Sequence, residues 1–188
     1  MPRAGLSEAR VVEEAEILSD EGEPVTLAVL ARRVGVQVPS LYKHVASLDD
    51  LHRLMSIRAR TEFASVLERA TVGKAGADAV TALAYAYRDW AVQHPGRYET
   101  TLRAPNSDDE ADMTASARAI QVIFDALAAF GLEGEDAIDA TRLTRASLHG
   151  FVTLNAAGAF ALPDLDRSFA RLIAVLQLSF TQWPSRTI

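Results

Sequence analysis

Residues 26–45 read TLAVLARRVGVQVPSLYKHV, and this stretch decides the fold. Thr26 stands where a short polar side chain caps a helix, and Leu27, Leu30, Ala31 and Val34 follow at helical spacing until Gly35. Pro39 suits the first turn of a second short helix over 40–45, because its missing N–H would have no partner there. Two short helices with a glycine-containing turn between them form a helix-turn-helix. Ala31 is small where the helices cross closely, and Gly35 supplies the positive φ of the turn. Leu30, Val34, Val36 and Leu41 then pack inward. Gln37, Ser40, Tyr42, Lys43 and His44 are left on the outer side, where such groups donate to phosphates or reach base edges in a major groove. An ordinary αα-hairpin with a solvated face would share the pattern.

On either side of this stretch the period stays helical. Ser7 caps a helix to about Asp20, with Val12, Ala15 and Leu18 on one face, and Gly22 and Pro24 break it. A further helix starts near Ser47, with Asp49 and Asp50 complementing its dipole, and runs to about Ala70. After Gly73 and Gly76, Val80, Leu83, Ala84, Tyr87 and Ala91 mark a helix that His94-Pro95-Gly96 ends. A short helical piece over 98–103 and a loop at Pro105 to Asp109 follow. Ala117, Ile120, Phe124 and Leu127 mark the next helix, to Gly131. A long helix runs from about Glu135 to Phe160 before Pro163, and the last carries Phe169, Leu172, Ile173, Leu176 and Phe180. No run alternates as a strand would. The expected fold is all-α, with about nine helices. A helix-turn-helix head of three helices occupies residues 1–47, and a connecting helix plus a C-terminal helical bundle occupies 48–188.

Composition bounds the function. The 188 residues carry 19 Lys and Arg against 25 Asp and Glu, a net charge of −6, which argues against a general nucleic-acid coat. Residues 31–60 depart from that balance, with six basic side chains (Arg32, Arg33, Lys43, Arg53, Arg58, Arg60) against Asp49 and Asp50. A basic segment on an acidic body suggests a localised anion-binding face. The chain has no Cys, which excludes a disulfide scaffold, a zinc finger and a thiol nucleophile. The four His are not spaced as helical metal ligands, and Asp108, Asp109, Glu110 and Asp112 precede a helix whose dipole they complement. There is no G-x-S-x-G elbow and no P-loop, so no catalytic residue, metal or cofactor is expected. No signal peptide or membrane span is expected either. The longest uncharged run, Ala146 to Pro163, contains His149 and Asn155 and reads as a bundle helix, consistent with a cytoplasmic protein.

The run VGVQVPSLYKHVASLDDLHRLM, residues 34–55, resembles the recognition helix and following turn of the tetracycline-repressor (TetR) family of bacterial transcription regulators. The resemblance covers roughly residues 8–57. It implies that Thr26 holds a phosphate, that Gln37, Pro39 and Ser40 approach bases, and that Tyr42, Lys43 and His44 contact backbone or base edges. Leu48 departs from the family pattern, in which Lys often opens this helix and grips a phosphate. The run Ser147 to Leu154, SLHGFVTL, resembles the His-Gly helix of one group of these regulators, without the Trp often found before that pair.

The resemblance further implies a homodimeric repressor on a palindromic operator in double-stranded DNA, released by a small-molecule effector. Tyr87, Trp90, Tyr98, Leu102, Phe124, Leu127, Arg145, His149, Phe151 and Asn155 would line the effector site. Phe169, Leu172, Ile173, Leu176 and Phe180 would form the dimer interface. Each aromatic also suits a plain core, and the stripe also suits an intramolecular one. A helical module that binds a small molecule or a protein, without specific DNA, stays open on the residues alone.

Overall fold

The computed structural model describes residues 6–161 and 164–184. Among them are nine α-helices and no strand: α1 Glu8–Asp20, α2 Leu27–Val34, α3 Val38–Leu41, α4 Leu48–Thr71, α5 Gly76–Gln93, α6 Pro95–Thr101, α7 Glu110–Leu127, α8 Gly134–Ala156 and α9 Leu165–Thr181. A single 3₁₀ turn, Ala128–Phe130, extends α7.

The expected caps form. Ser7 Oγ accepts from Arg10 N–H at 3.3 Å, and Thr26 Oγ1 accepts from Val29 N–H at 3.2 Å. At the start of α4, Ser47 Oγ accepts from Asp50 N–H (3.0 Å), while Asp50 accepts from Ala46 N–H (2.9 Å). This reciprocal pair satisfies donors that a helix start otherwise leaves open.

Three boundaries differ from expectation. Regular α3 stops at Leu41, and residues 42–44 continue as a turn in which His44 and Val45 N–H both donate to the Leu41 carbonyl. Helix α6 starts at Pro95, where proline fits the first turn, and Tyr98 N–H reaches the His94 carbonyl at 2.8 Å. Helix α8 ends at Ala156, short of Phe160. Gly158 adopts φ +66°, and Ala159 N–H closes on the Leu154 carbonyl at 2.9 Å. Pro163 lies outside the described residues.

The helices divide into two compact units, residues 6–62 with 93–116, and 63–92 with 117–184 among those described. In the first unit, Val11, Val12, Ala15 and Leu18 of α1 pack with Leu30, Ala31, Leu41, Val45, Leu51 and Met55. Most of its basic side chains are held by carboxylates. Arg33 reaches Glu14 (2.8 Å) and Glu21 (2.6 Å), and Arg53 pairs with Asp109 and Asp50. Arg60 is buried against Asp112 and donates to the Thr101 and Arg103 carbonyls. Helix α1 also packs on α6. There Arg97 holds Asp20 through its N–H and its Nε, at 2.8 and 2.7 Å.

In the second unit, Phe63 meets Tyr87 and Trp90 with ring centroids 4.9 Å apart in each case. Phe169 of α9 packs on Tyr85 and Phe151. Gln177 Nε2 ties α9 to the start of α5, donating to the Ala77 carbonyl and Thr81 Oγ1 at 2.8 Å each. By length and composition one helical stretch, Glu110–Phe130, could cross a bilayer. It buries Val122, Ile123, Ala126 and Leu127 in the second unit, and its Asp112 pairs with Arg60 in the first, as a bundle helix does.

Gly96 marks a close helix approach in the first unit. A Cβ there would lie 2.1 Å from both the carbonyl carbon and the carbonyl oxygen of Ser19 in α1. Neither is the movable end of a side chain, so the two helices would have to separate. Gly96→Ala is expected to destabilise the protein by ~2–3 kcal/mol in urea unfolding, toward the upper end of overpacking costs.

Candidate functional site

The surface of interest starts from a helix too short to stand alone. Helix α3 has four residues, far below what an isolated helix needs in water. It is held because Leu41 has no exposed surface and Val45 almost none, both within the α1, α2 and α4 cluster. Gly35 makes the reversal into it with φ +73°, and its N–H and that of Val36 return to the carbonyls of Arg32 and Ala31. With Leu41 and Val45 fixed inward, the residues between and before them face out. Gln37, Pro39, Tyr42 and Lys43 are exposed, Ser40 and His44 half-buried. Tyr42 keeps 55% of its surface accessible. Thr26 is exposed at the start of α2. Its oxygen accepts from Val29, which leaves its O–H proton available for a phosphate.

The charge on this surface is smaller than residues 31–60 suggest. Arg33, Arg53, Arg58 and Arg60 all pair with carboxylates inside the same unit. Pairing with Arg33 holds the Glu21 carboxyl below its ordinary range, and Arg53 does the same for Asp109. Of the six basic side chains, Arg32 and Lys43 form no ion pair among the described residues, and both are exposed. Leu48 is half-buried against the cluster of the head. Residues remote in sequence therefore reduce the anion-binding face, which a count over a window of sequence does not detect.

The residues expected around an effector are divided between the two units. Tyr87 and Trp90 are buried together on Phe63, and Leu127 and the half-buried Phe124 belong to the same unit. Phe151 packs on Phe160 and Phe169, with ring centroids at 5.0 and 4.8 Å. His149 is half-buried beside the Thr153 hydroxyl (3.4 Å), Asn155 is half-buried, and Arg145 is exposed. Tyr98, buried, and Leu102, 46% exposed, fall in the first unit. Sequence reasoning passed over Thr141, which is buried in α8 with no partner for its hydroxyl oxygen. Its place on the inward face with Ala137, Ala140, Thr144 and Leu148 was the available signal.

The residues expected at a dimer interface lie mostly inside the single chain. Phe169, Ile173, Leu176 and Phe180 are all less than 5% exposed within the single chain, and Leu172 is half-buried. The first four belong to the buried core of the second unit, whereas Leu172 keeps part of its surface accessible. The apolar residues left outside lie on the far side of α9, Val175 (65% exposed) and Leu178 (55%). On the outer face of α8 are Leu143 and Leu154, with Ala146 and Gly150 between them. An added Cβ at Gly150 would meet nothing within 4 Å.

Comparison with known proteins identifies the family. Residues 80–176 match the family described as tetracyclin repressor-like, C-terminal domain. An uncharacterized HTH-type transcriptional regulator of Mycobacterium tuberculosis is 39% identical over 90% of this chain and 79% of its own length. Another, YobS of Bacillus subtilis, is 34% identical over 85% and 84%. Among solved structures, a TetR protein from Acinetobacter baumannii in complex with minocycline superposes with a TM-score of 0.70 at 19% identity, over 97% of this chain and all of that one. The Streptomyces coelicolor TetR family protein ActR in complex with (S)-DNPA gives 0.65 at 19%, over 95% and 98%. These two likenesses concern the fold.

Gly35 has open space around its α-carbon, in contrast to Gly96. Only its positive φ resists substitution. Gly35→Ala is expected to cost about 1 kcal/mol, and Gly35→Asn less, because Asn tolerates this region better. Urea unfolding of the two variants checks the order.

Proposed function

The chain belongs to the tetracycline-repressor family, and on that premise we propose that it is a sequence-specific DNA-binding transcriptional regulator, a homodimeric repressor released from its operator by a small molecule. The observation that carries this reading is the exposed row Gln37, Pro39, Tyr42 and Lys43 over a fully buried Leu41. Such a row enters a major groove with donors outward. Residues 1–47 would read DNA and 48–188 would bind effector and partner subunit. Lys43 and Arg32 supply phosphate contacts, Thr26 a further one, and Gln37 and Ser40 reach base edges. The N–H groups that open α4 at Leu48 replace the missing Lys there. The HTH-type regulators at 39% and 34% identity support the same assignment, as against an enzyme. A protein acting on bacterial operators works in the cytoplasm.

Two of the solved relatives in fold hold small molecules, minocycline and (S)-DNPA. For this chain the effector is assigned to the second unit, with Tyr87, Trp90 and Phe151 as aromatic walls. Thr141 and Thr144 are the buried polar side chains of that unit among the described residues, so the site favours a largely apolar molecule. The effector acts only through a difference in affinity between the DNA-binding state and the released one.

Selection from random duplexes, followed by titration at two salt concentrations, tests the DNA reading. A palindromic sequence with half-sites ~34–36 Å apart, or a multiple of that, is expected. Lys43→Ala should then lower the salt slope by about two, one contact per subunit. Enrichment of no sequence, with and without candidate effectors, would favour a binding module without DNA.

The dimer is assigned to the outer faces of α8 and α9, through Leu143, Leu154, Val175 and Leu178. Leu178→Asp with Val175→Asp should give a folded monomer in analytical ultracentrifugation, since both positions face solvent in the single chain. A dimer that persists would move the interface elsewhere.

A further inference from the structure

Glu16 is a carboxylate in the wrong environment. It lies on the inner face of α1 between Ala15 and Leu18 and is 2% exposed. One oxygen faces Arg58 Nε of α4 at 3.1 Å, and the other, Oε1, is buried without a hydrogen-bond partner. The charges around it come from each packed element. Asp20 lies one turn on in α1, Arg58 and Glu62 in α4, and Arg97 in α6. His94, just before α6, lies 3.4 Å from Asp20, and Arg97 donates to its Nδ1. Arg97 is already engaged by Asp20 and by Glu62 at 2.8 Å. Arg58 is half outside, with 44% of its side chain exposed. Three carboxylates thus share two guanidiniums, and the most buried of the three has an oxygen with nothing to accept from.

We propose that Glu16 is a proton-binding site built into the junction of α1, α4 and α6, and that ionising it loosens α1 from the other two helices. A neutral carboxyl removes the excess negative charge and its O–H becomes a donor. An ionised one leaves Oε1 desolvated, and water reaches it only if α1 moves away. Gly96 lets α1 and α6 approach at backbone distance, so little slack is available for a partial adjustment. Burial pushes the carboxyl up to about 7, against the pull of Arg58 and Arg97. The folded state then holds its proton more tightly than the unfolded chain, whose carboxyl stays near its ordinary 4.5. Stability from this group is present at low pH, falls as pH rises between the two values, and is flat above the higher one. Helix α1 supplies Val11, Val12, Ala15 and Leu18 to the core under the exposed row of α3, so a loosened α1 reaches the DNA-facing surface. This last link rests on the regulator reading, whereas the proton site does not.

The test is urea unfolding of the full chain from pH 5 to 8.5, for wild type and Glu16→Gln. Relative to the variant, the wild-type folding constant should fall by up to about tenfold per pH unit below pH 7 and level off above it. Parallel profiles overturn the proposal. If Glu16→Gln does not fold, the ¹³C shift of the Glu16 carboxyl in wild type reads the same property. Titration above pH 6 supports the site, and titration below 5.5 overturns it. His94→Gln should keep the wild-type slope, and loss of the slope in that variant would assign the proton to His94 instead. On a selected operator, a pH-dependent affinity in wild type that is absent in Glu16→Gln would join the site to regulation. Failure to bind any operator at every pH would remove the regulator reading and leave the unfolding result standing.

Discussion

Burial of Leu41 is the constraint on which the head depends. A four-residue helix has no stability of its own, and α3 adopts its shape because Leu41 and Val45 complete a cluster begun by α1, α2 and the start of α4. The exposed row at 37, 39, 42 and 43 is the other side of that packing. Its spacing follows from two inward residues four apart and a left-handed Gly35 before them. The same cluster involves α1, which also buries Glu16 against Arg58 of α4 and carries Asp20, paired with Arg97 of α6, one turn on. The helix that packs under the proposed DNA-reading surface thus also carries the buried charged junction.

Charge is distributed by the same logic. Long basic side chains near an interior find carboxylates before they find solvent. Arg60 is the extreme case, buried with Asp112 and two carbonyls, where loss of either partner would leave a charge uncompensated. Four of the six basic residues in 31–60 are bound in this way, and this organises the first unit more than it attracts an anion. The proposed recognition surface keeps Lys43 and Arg32, which form no ion pair among the described residues.

Where a residue's role was local, the sequence disclosed it. Ser7, Thr26 and Ser47 act as caps, and Gly35 and Gly131 end helices at positive φ, because capping and chirality are settled within one turn of chain. The outward polar row of the head was legible for the same reason. Roles fixed by contacts distant in sequence were not. Nothing near Glu16 distinguishes it from the half-buried Glu13, since both belong to an acidic run on α1. The close approach at Gly96 depends on Ser19, 77 positions earlier. The early end of α8 was available in principle at Gly158, but an apolar run continuing to Phe160 outweighed one glycine. Thr141 and the aromatic residues show the limit for the effector site: helical spacing puts them inside without saying which neighbours they meet.

The stripe on α9 shows why periodicity cannot assign a partner. A period of 3.6 reports that one face is apolar, and an intramolecular core and a subunit interface satisfy it equally. Here Phe169, Ile173, Leu176 and Phe180 occupy one side and are covered by the chain itself. Val175 and Leu178 lie on the opposite side, too few to make a second periodic stripe in sequence yet more than half exposed. Isolated exposed apolar residues need no explanation. These two sit on α9, which packs on α8, and α8 shows Leu143 and Leu154 outward with small residues between them. The dimer proposed on these outer faces leaves the core undisturbed, because its contacts begin where the intramolecular stripe ends.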